Sequence, residues 1–120
     1  MSFAGPDFLQ VAQKLIQGTA TEGALRSAIS RSYYSAFLHA REYCWLNGLR
    51  IDKSGRAHDQ VRLSLSSRGQ QHLAANLRDL HALRKNADYD IPFPRPNLQA
   101  EAGKAVHLAR KIIRDIDALP

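Results

Sequence analysis

The sequence of 120 residues has one cysteine, one methionine and one tryptophan, and it has no long apolar run. A single cysteine excludes an internal disulfide, and the scattered histidines lack the ligand spacing of a zinc site. No stretch approaches the roughly 20 apolar residues that a membrane-spanning helix needs. The first residues, MSFAGPDFLQ, lack a basic region followed by an apolar one. We therefore expect a cytoplasmic protein with no metal, no cofactor and no membrane segment.

Alternating apolar and polar residues, the pattern of a half-buried strand, are also absent, as are internal repeats and low-complexity segments. Apolar residues recur instead at steps of three and four, which is the spacing typical of helices. A chain of this length is long enough for one hydrophobic core and too short for two. The sequence thus predicts a single all-α domain over residues 1–120.

The longest helical pattern runs from Thr21 to Asn47. Thr21 is a suitable N-cap, and Gly48 follows as a natural stop. Two rows of this helix are apolar or small, so we expect the helix to be covered on more than one side. The first row contains Leu25, Ile29, Tyr33, Ala36, Phe37, Ala40 and Cys44, and the second contains Ala28, Ser32, Ser35 and His39.

Four shorter helices are predicted around the long one, at about residues 6–17, 58–66, 70–85 and 97–119. The three prolines of the segment NADYDIPFPRPN restrict the residues before them, so this segment is predicted to be non-helical. The expected architecture is an up-and-down helical bundle of four to five helices around a long central helix.

Positive charge is concentrated in the middle of the chain. The net charge is +6, and residues 50–85 contain eight Lys and Arg against three Asp, which is a local charge of +5. A basic section of this kind suits an anionic partner, most simply RNA or DNA. The alternative is a solvated face that only keeps the protein soluble.

Three segments carry a more specific pattern: RSAISRSYYSAFLHARE in the long helix, the histidine of GRAHDQV, and LRDLHALRKNADYD at the end of the fourth helix. In their order and separation they resemble the HEPN family (higher eukaryotes and prokaryotes nucleotide-binding), in particular its small stand-alone prokaryotic members. The resemblance implies a helical bundle that forms a homodimer. It also implies one half of a toxin–antitoxin or defence-type two-gene system, with an antitoxin or a nucleotidyltransferase-type protein as partner.

Many HEPN proteins are metal-independent ribonucleases whose usual motif is an arginine followed, a few residues later, by a histidine. Here Arg84 is followed by KNADYD, so Tyr89 stands where that histidine would fall. A histidine accepts a proton from a ribose hydroxyl near neutral pH, whereas a tyrosine does so poorly. The departure favours RNA or nucleotide binding, or regulation, over catalysis. Two alternatives remain: an atypical ribonuclease that uses His58, Arg84 and Tyr89, and a purely structural interaction module.

Four polar residues are candidate contacts to RNA or a nucleotide: Arg31, Tyr34, Arg84 and Asp88. In the functional interpretation, Arg84 binds a phosphate and is oriented by Asp88, while Arg31 and Tyr34 add a phosphate contact and a nucleotide contact. In the structural interpretation, the same residues tie the fourth helix to the central one, and Tyr89 fills the core. Both predict Arg31 or Tyr34 within hydrogen-bond reach of the end of the fourth helix. The remaining histidines have no motif support and are assigned structural roles: His39, His72, His81 and His107.

Overall fold

The computed structural model describes residues 3–120; the first two residues of the N-terminal segment lie outside this range. Five α-helices follow one another, and residues 3–120 contain no strand. The helices are α1 (Gly5–Leu15), α2 (Glu22–Leu46), α3 (Ala57–Ser67), α4 (Gln71–Tyr89) and α5 (Leu98–Asp117). The predicted all-α bundle is confirmed. Of the helices in this described part, none is both long enough and apolar enough to cross a membrane.

Helix α2 lies at the centre, because it packs against each of the other four helices. Both of its apolar rows are buried, except for the half-buried His39 at the end of the second row. Cys44 is fully buried in the first row, where burial raises the pKa of its thiol to about 11. This cysteine therefore fills the core, as expected.

Side-chain caps hold the two longest helices at their N-termini, one at the predicted Thr21 and one at Asn97. The hydroxyl of Thr21 accepts a hydrogen bond from the amide of Ala24 at 3.2 Å, and the side chain of Asn97 accepts one from Ala100 at 3.0 Å. After α2, Gly48 takes a φ of 75°, a left-handed conformation that favours glycine and stops the helix.

Helix α4 extends further than the sequence indicated. Residues 86–89 were predicted to be non-helical, but α4 continues to Tyr89. The prediction was wrong because a proline restricts mainly the residue directly before it, here Ile91, and leaves the earlier residues free to continue the helix. The extension places Arg84 and Asp88 one helical turn apart on the same face.

Helix α1 begins in direct contact with the backbone of α2. A Cβ atom at Gly5 would lie 2.8 Å from the carbonyl oxygen of Ser35 and 2.8 Å from the amide nitrogen of His39. Both distances are too short for real atoms, so only glycine lets the first turn of α1 sit this close. The carboxylate of Asp7 completes the turn by accepting a hydrogen bond from the amide of Ala4 at 2.8 Å.

We expect Gly5→Ala to destabilise the protein by about 1–3 kcal/mol, because α1 must move away from α2 to make room. Denaturant unfolding followed by circular dichroism measures this loss. Gly103→Ala is the matched control: Gly103 lies within α5 with open space around its Cβ position. The control should gain about 0.5–1 kcal/mol from helix propensity. A Gly5→Ala variant as stable as the wild type would contradict the close approach.

Candidate functional site

The C-terminal end of α4 is held against α2 by Arg26. Its guanidinium donates to the carbonyl oxygens of Ala87 at 3.0 Å and Asp90 at 2.7 Å. These carbonyls lack partners within the helix, and a cation is favourable at this end of the helix dipole. The carboxylate of Glu22, one turn earlier on α2, accepts from Arg26 at 3.1 Å and fixes the side chain from the other direction.

Asp88 joins the same two helices. One carboxylate oxygen, Oδ2, accepts from the guanidinium of Arg84 at 3.3 Å and from the hydroxyl of Ser30 at 3.3 Å. The Asp88 side chain keeps 27% of its surface exposed, so this carboxylate also faces outward.

These contacts correct one sequence prediction. Within residues 3–120, the hydrogen bonds from α2 to the end of α4 come from Arg26 and Ser30 rather than from Arg31 or Tyr34. Arg31 is exposed, and its guanidinium lies over the ring of Phe8 on α1, 5.1 Å from the ring centre. Tyr34 does reach α4, but through its ring face, which lies 5.3 Å from the guanidinium carbon of Arg84.

Arg84 is a buried charge, with only 9% of its side chain exposed. Its guanidinium also lies near the rings of Tyr33 at 5.7 Å and Tyr89 at 5.8 Å. Burial lowers the pKa of Arg84, but Tyr34, Asp88 and Tyr89 together raise it, so the group stays cationic. Its Nε atom is buried without a hydrogen-bond partner.

Tyr89 itself is 72% exposed. The structural interpretation in which this tyrosine fills the core is therefore wrong. Tyr89 is the last residue of α4, and its ring lies near the guanidinium of Arg84 rather than in the core.

A stack of aromatic rings lies beside Arg84, and we call it the ring cluster: Tyr33, Phe37, His58 and His81. The His58 and His81 rings are parallel within 10°, with centres 4.6 Å apart, and Tyr33 stacks on His81 at 4.8 Å. His58, the predicted catalytic histidine, thus belongs to the ring cluster that lies beside Arg84, although the two residues come from different helices.

The hydroxyl of Tyr33 and Nδ1 of His58 form a short hydrogen bond. Tyr33 is buried, and burial raises the pKa of its phenol. The phenol therefore keeps its proton and donates it, since the reverse arrangement would leave that proton without an acceptor. Burial, followed by the charges of Arg84 and Arg62, lowers the pKa of His58, so its imidazole is neutral. In this tautomer Nδ1 is occupied and Nε2 carries the hydrogen.

His81 lies between two guanidinium groups. Its Nδ1 is 3.2 Å from Arg62, and its Nε2 is 3.3 Å from Arg84. A neutral imidazole accepts at one nitrogen only, so the cluster contains more hydrogen-bond donors than acceptors. Burial first, then competition with His58 for a proton, and then the charges of Arg84, Arg62 and Lys85 lower the pKa of His81 to about 4.

Neither His81 nor Arg62 was predicted from the sequence to have a functional role. One signal was available for His81, because it lies three residues before Arg84 and thus on the same face of α4. Arg62 has no comparable signal. Its guanidinium pairs with Asp59 on its own helix and reaches His81 only because α3 packs against α4.

A polar cavity of about 330 Å³ opens between α2 and α4. Two of the predicted binding residues, Arg31 and Asp88, line it, whereas Arg84 reaches it through Asp88. Guanidinium groups and hydroxyls are the usual protein donors to phosphate, so the lining suits a small anion or part of a larger one. The full lining is Arg26, Ser27, Ser30, Arg31, Ala87 and Asp88.

Residues 3–120 contain no group of three or more His, Cys, Asp or Glu side chains placed to hold a metal ion. Comparison of the chain with models of known families, with curated proteins and with solved structures finds no match.

The ring cluster makes stability depend on pH. His81 has a pKa of about 4 in the folded state and an ordinary value near 6.5 when unfolded. The unfolded state binds the proton more tightly, so stability is fully present above pH 6.5 and is lost as the pH falls towards 4. We expect the melting temperature to fall as the pH drops across this range. His81→Gln should make this decrease smaller, because the glutamine amide takes up no proton but still accepts a hydrogen bond from one arginine.

Circular dichroism melts at several pH values measure this dependence. His72→Gln, which replaces an exposed histidine of the same helix, is the matched control and should keep the wild-type dependence. Parallel curves for the wild type and His81→Gln would show that His81 does not carry the effect.

Proposed function

We propose that this protein is a HEPN-type module that binds the phosphate groups of RNA or of a nucleotide, and that it is not a ribonuclease of the usual family type. The observation that carries the proposal is the polar cavity between α2 and α4, together with the buried Arg84 beside it. The three segments that resemble the family contribute to this region or to the adjoining ring cluster.

The two arginines of the cavity differ in a way that suits a phosphate site. Arg26 is held by the carbonyls at the end of α4, so its position is fixed before any ligand arrives, and its second terminal nitrogen is buried without a partner. Arg31 is exposed and has room to move towards a ligand. A fixed donor beside a mobile one gives both orientation and attraction.

Asp88 opposes an anion in the cavity, because its carboxylate lines the wall. Arg84 and Ser30 bind to one oxygen of that carboxylate and offset part of its charge. The basic middle section, with its local charge of +5, adds a long-range attraction for a polyanion. On balance, the charge around the cavity favours RNA or nucleotide phosphate.

The geometry of the ring cluster supports binding rather than cleavage. Nδ1 of His58 is occupied by the buried hydroxyl of Tyr33, and Nε2 carries a hydrogen, so this tautomer has no free nitrogen to accept a proton. Tyr89, which replaces the usual histidine, lies exposed at the end of α4. A base for the family mechanism is thus lacking at both predicted positions.

The resemblance also supports two partners. One is a second copy of the chain, and the other is an antitoxin or a nucleotidyltransferase-type protein of a two-gene system. Exposed apolar residues at the end of α4, Tyr89 and Ile91, provide contact area near the cavity. Light scattering at high concentration tests the homodimer, and a mass near 13.4 kDa would contradict it.

We expect Arg31→Ala to weaken binding to a fluorescently labelled single-stranded RNA, measured by fluorescence anisotropy. Loss of one phosphate contact should also reduce the slope of log affinity against log salt by about 0.7. Arg110→Ala removes an equal charge from an exposed site on α5 and is the matched control. Equal affinities and slopes for the two variants would contradict the assignment of the cavity.

We expect the wild type to leave the same RNA intact, because neither His58 nor Tyr89 supplies a base. Gel analysis after incubation in a chelator measures this directly. Tyr89→His restores the family spacing and tests whether the missing histidine limits cleavage. Strong cleavage by the wild type that His58→Ala abolishes would show instead that the protein is an atypical ribonuclease.

A further inference from the structure

A groove opens between α3 and α4, and we call it the α3–α4 groove. Its volume is about 550 Å³, within the range of small-molecule sites in proteins. It is separate from the polar cavity, because Ala75 in the groove and Asp88 in the cavity lie roughly 20 Å apart along α4.

The floor of the groove is apolar because α4 contributes two alanines. Ala74 is buried and Ala75 half-buried, and their small side chains leave the space that defines the groove. On the opposite wall, Leu63 of α3 is 68% exposed. An apolar body that lies on the alanines would also cover this leucine and remove its surface from water.

Two arginines lie along the groove. Arg78 is exposed, and the nearest carboxylate, that of its neighbour Asp79, is 3.8 Å away, so its guanidinium is only weakly paired. Arg62 is mostly buried and pairs with Asp59, which also lines the groove. With one lining carboxylate against two guanidiniums, the groove is complementary to a single negative charge.

Two neutral polar side chains complete the lining. The hydroxyl of Ser66 comes from α3 and the amide of Gln71 from the first turn of α4. Each donates and accepts hydrogen bonds, so they orient a polar substituent without adding charge. Apolar surface with a few convergent polar groups is the usual composition of a small-molecule site.

We propose that the α3–α4 groove binds a small organic anion with a flat apolar body and one acidic group, such as an aromatic carboxylate or an aryl sulfonate. The apolar body lies on Ala74, Ala75 and Leu63, and the acidic group is bound by Arg78 and Arg62. This site goes beyond the proposed RNA or nucleotide function and does not depend on it.

Occupation of the groove has a consequence for the ring cluster. Arg62 lines the groove and also donates to His81, which Arg84 contacts from its other nitrogen. A ligand that recruits Arg62 leaves Nδ1 of His81 free and relieves the excess of donors around this imidazole. The groove ligand is thus linked to Arg84 through one histidine.

Anilinonaphthalene sulfonate, which combines a flat apolar body with one negative charge, is a direct probe of the groove in the full-length protein. We expect saturable fluorescence enhancement with one probe per chain. Phenylnaphthylamine, a comparable ring system without the sulfonate, should bind more weakly, and inorganic sulfate alone should compete poorly.

Two variants locate the probe. Arg78→Ala should weaken its binding about threefold to fivefold, as expected for one exposed charge contact. Ala75→Phe should abolish binding by filling the groove. Arg110→Ala, on a helix that does not contact α3, removes the same charge and should bind as the wild type does.

Circular dichroism shows whether Ala75→Phe is folded. If it is not, the probe affinity of Arg78→Ala tests the proposal, because Arg78 is exposed and its loss leaves the core intact. Absence of saturable binding to the wild type would overturn the proposal. Binding that is unchanged in Arg78→Ala would also overturn it. Arg31→Ala tests the two sites separately, because Arg31 lines the polar cavity and not the groove: it should weaken RNA binding and leave binding of the probe unchanged.

Discussion

The polar contacts between α2 and α4 depend on the burial of one positive charge, the guanidinium of Arg84. Removing such a group from water is costly unless charged and polar partners surround it. Asp88 supplies a carboxylate from the next turn of α4, while Tyr33 and Tyr34 supply ring faces from α2. Because these partners come from two helices, surrounding the charge holds α4 against α2. Ser30 strengthens the same connection by donating to the carboxylate of Asp88.

The same charge determines the chemistry of the neighbouring rings. Arg84 and Arg62 approach His81 from its two nitrogens, and together with burial they keep the imidazole neutral. His58 is kept neutral in the same way, and its hydrogen bond to Tyr33 fixes its tautomer. The result is a set of donors with few acceptors. Such a set is suited to stabilising an anion and poorly suited to taking up a proton, which is the physical basis for proposing a binding protein.

Helix α4 connects the two surfaces that the geometry singles out. Its first half forms one wall of the α3–α4 groove, its last turn forms one wall of the polar cavity, and His81 and Arg84 lie between them. Alanines in the first half leave the space of the groove, whereas the last turn contributes the carboxylate of Asp88 to the polar cavity. One helix therefore lines both an apolar groove and a polar cavity, which lie nearly four turns apart. Stacked rings lie between the two surfaces, and the rings of Tyr33, His81 and His58 contact each other directly.

The sequence by itself determined the all-α class, the central helix and its caps, because periodicity and capping depend on residues close together in the chain. It also predicted Arg84, Asp88 and His58 as candidate site residues through their motif. Contacts between helices were decided only by the tertiary structure. Arg26 rather than Arg31 meets the end of α4, although both lie on α2 and both are arginines. Which of them faces α4 depends on the rotation and crossing of the two helices, and these are set by the packing of the whole core rather than by any local spacing.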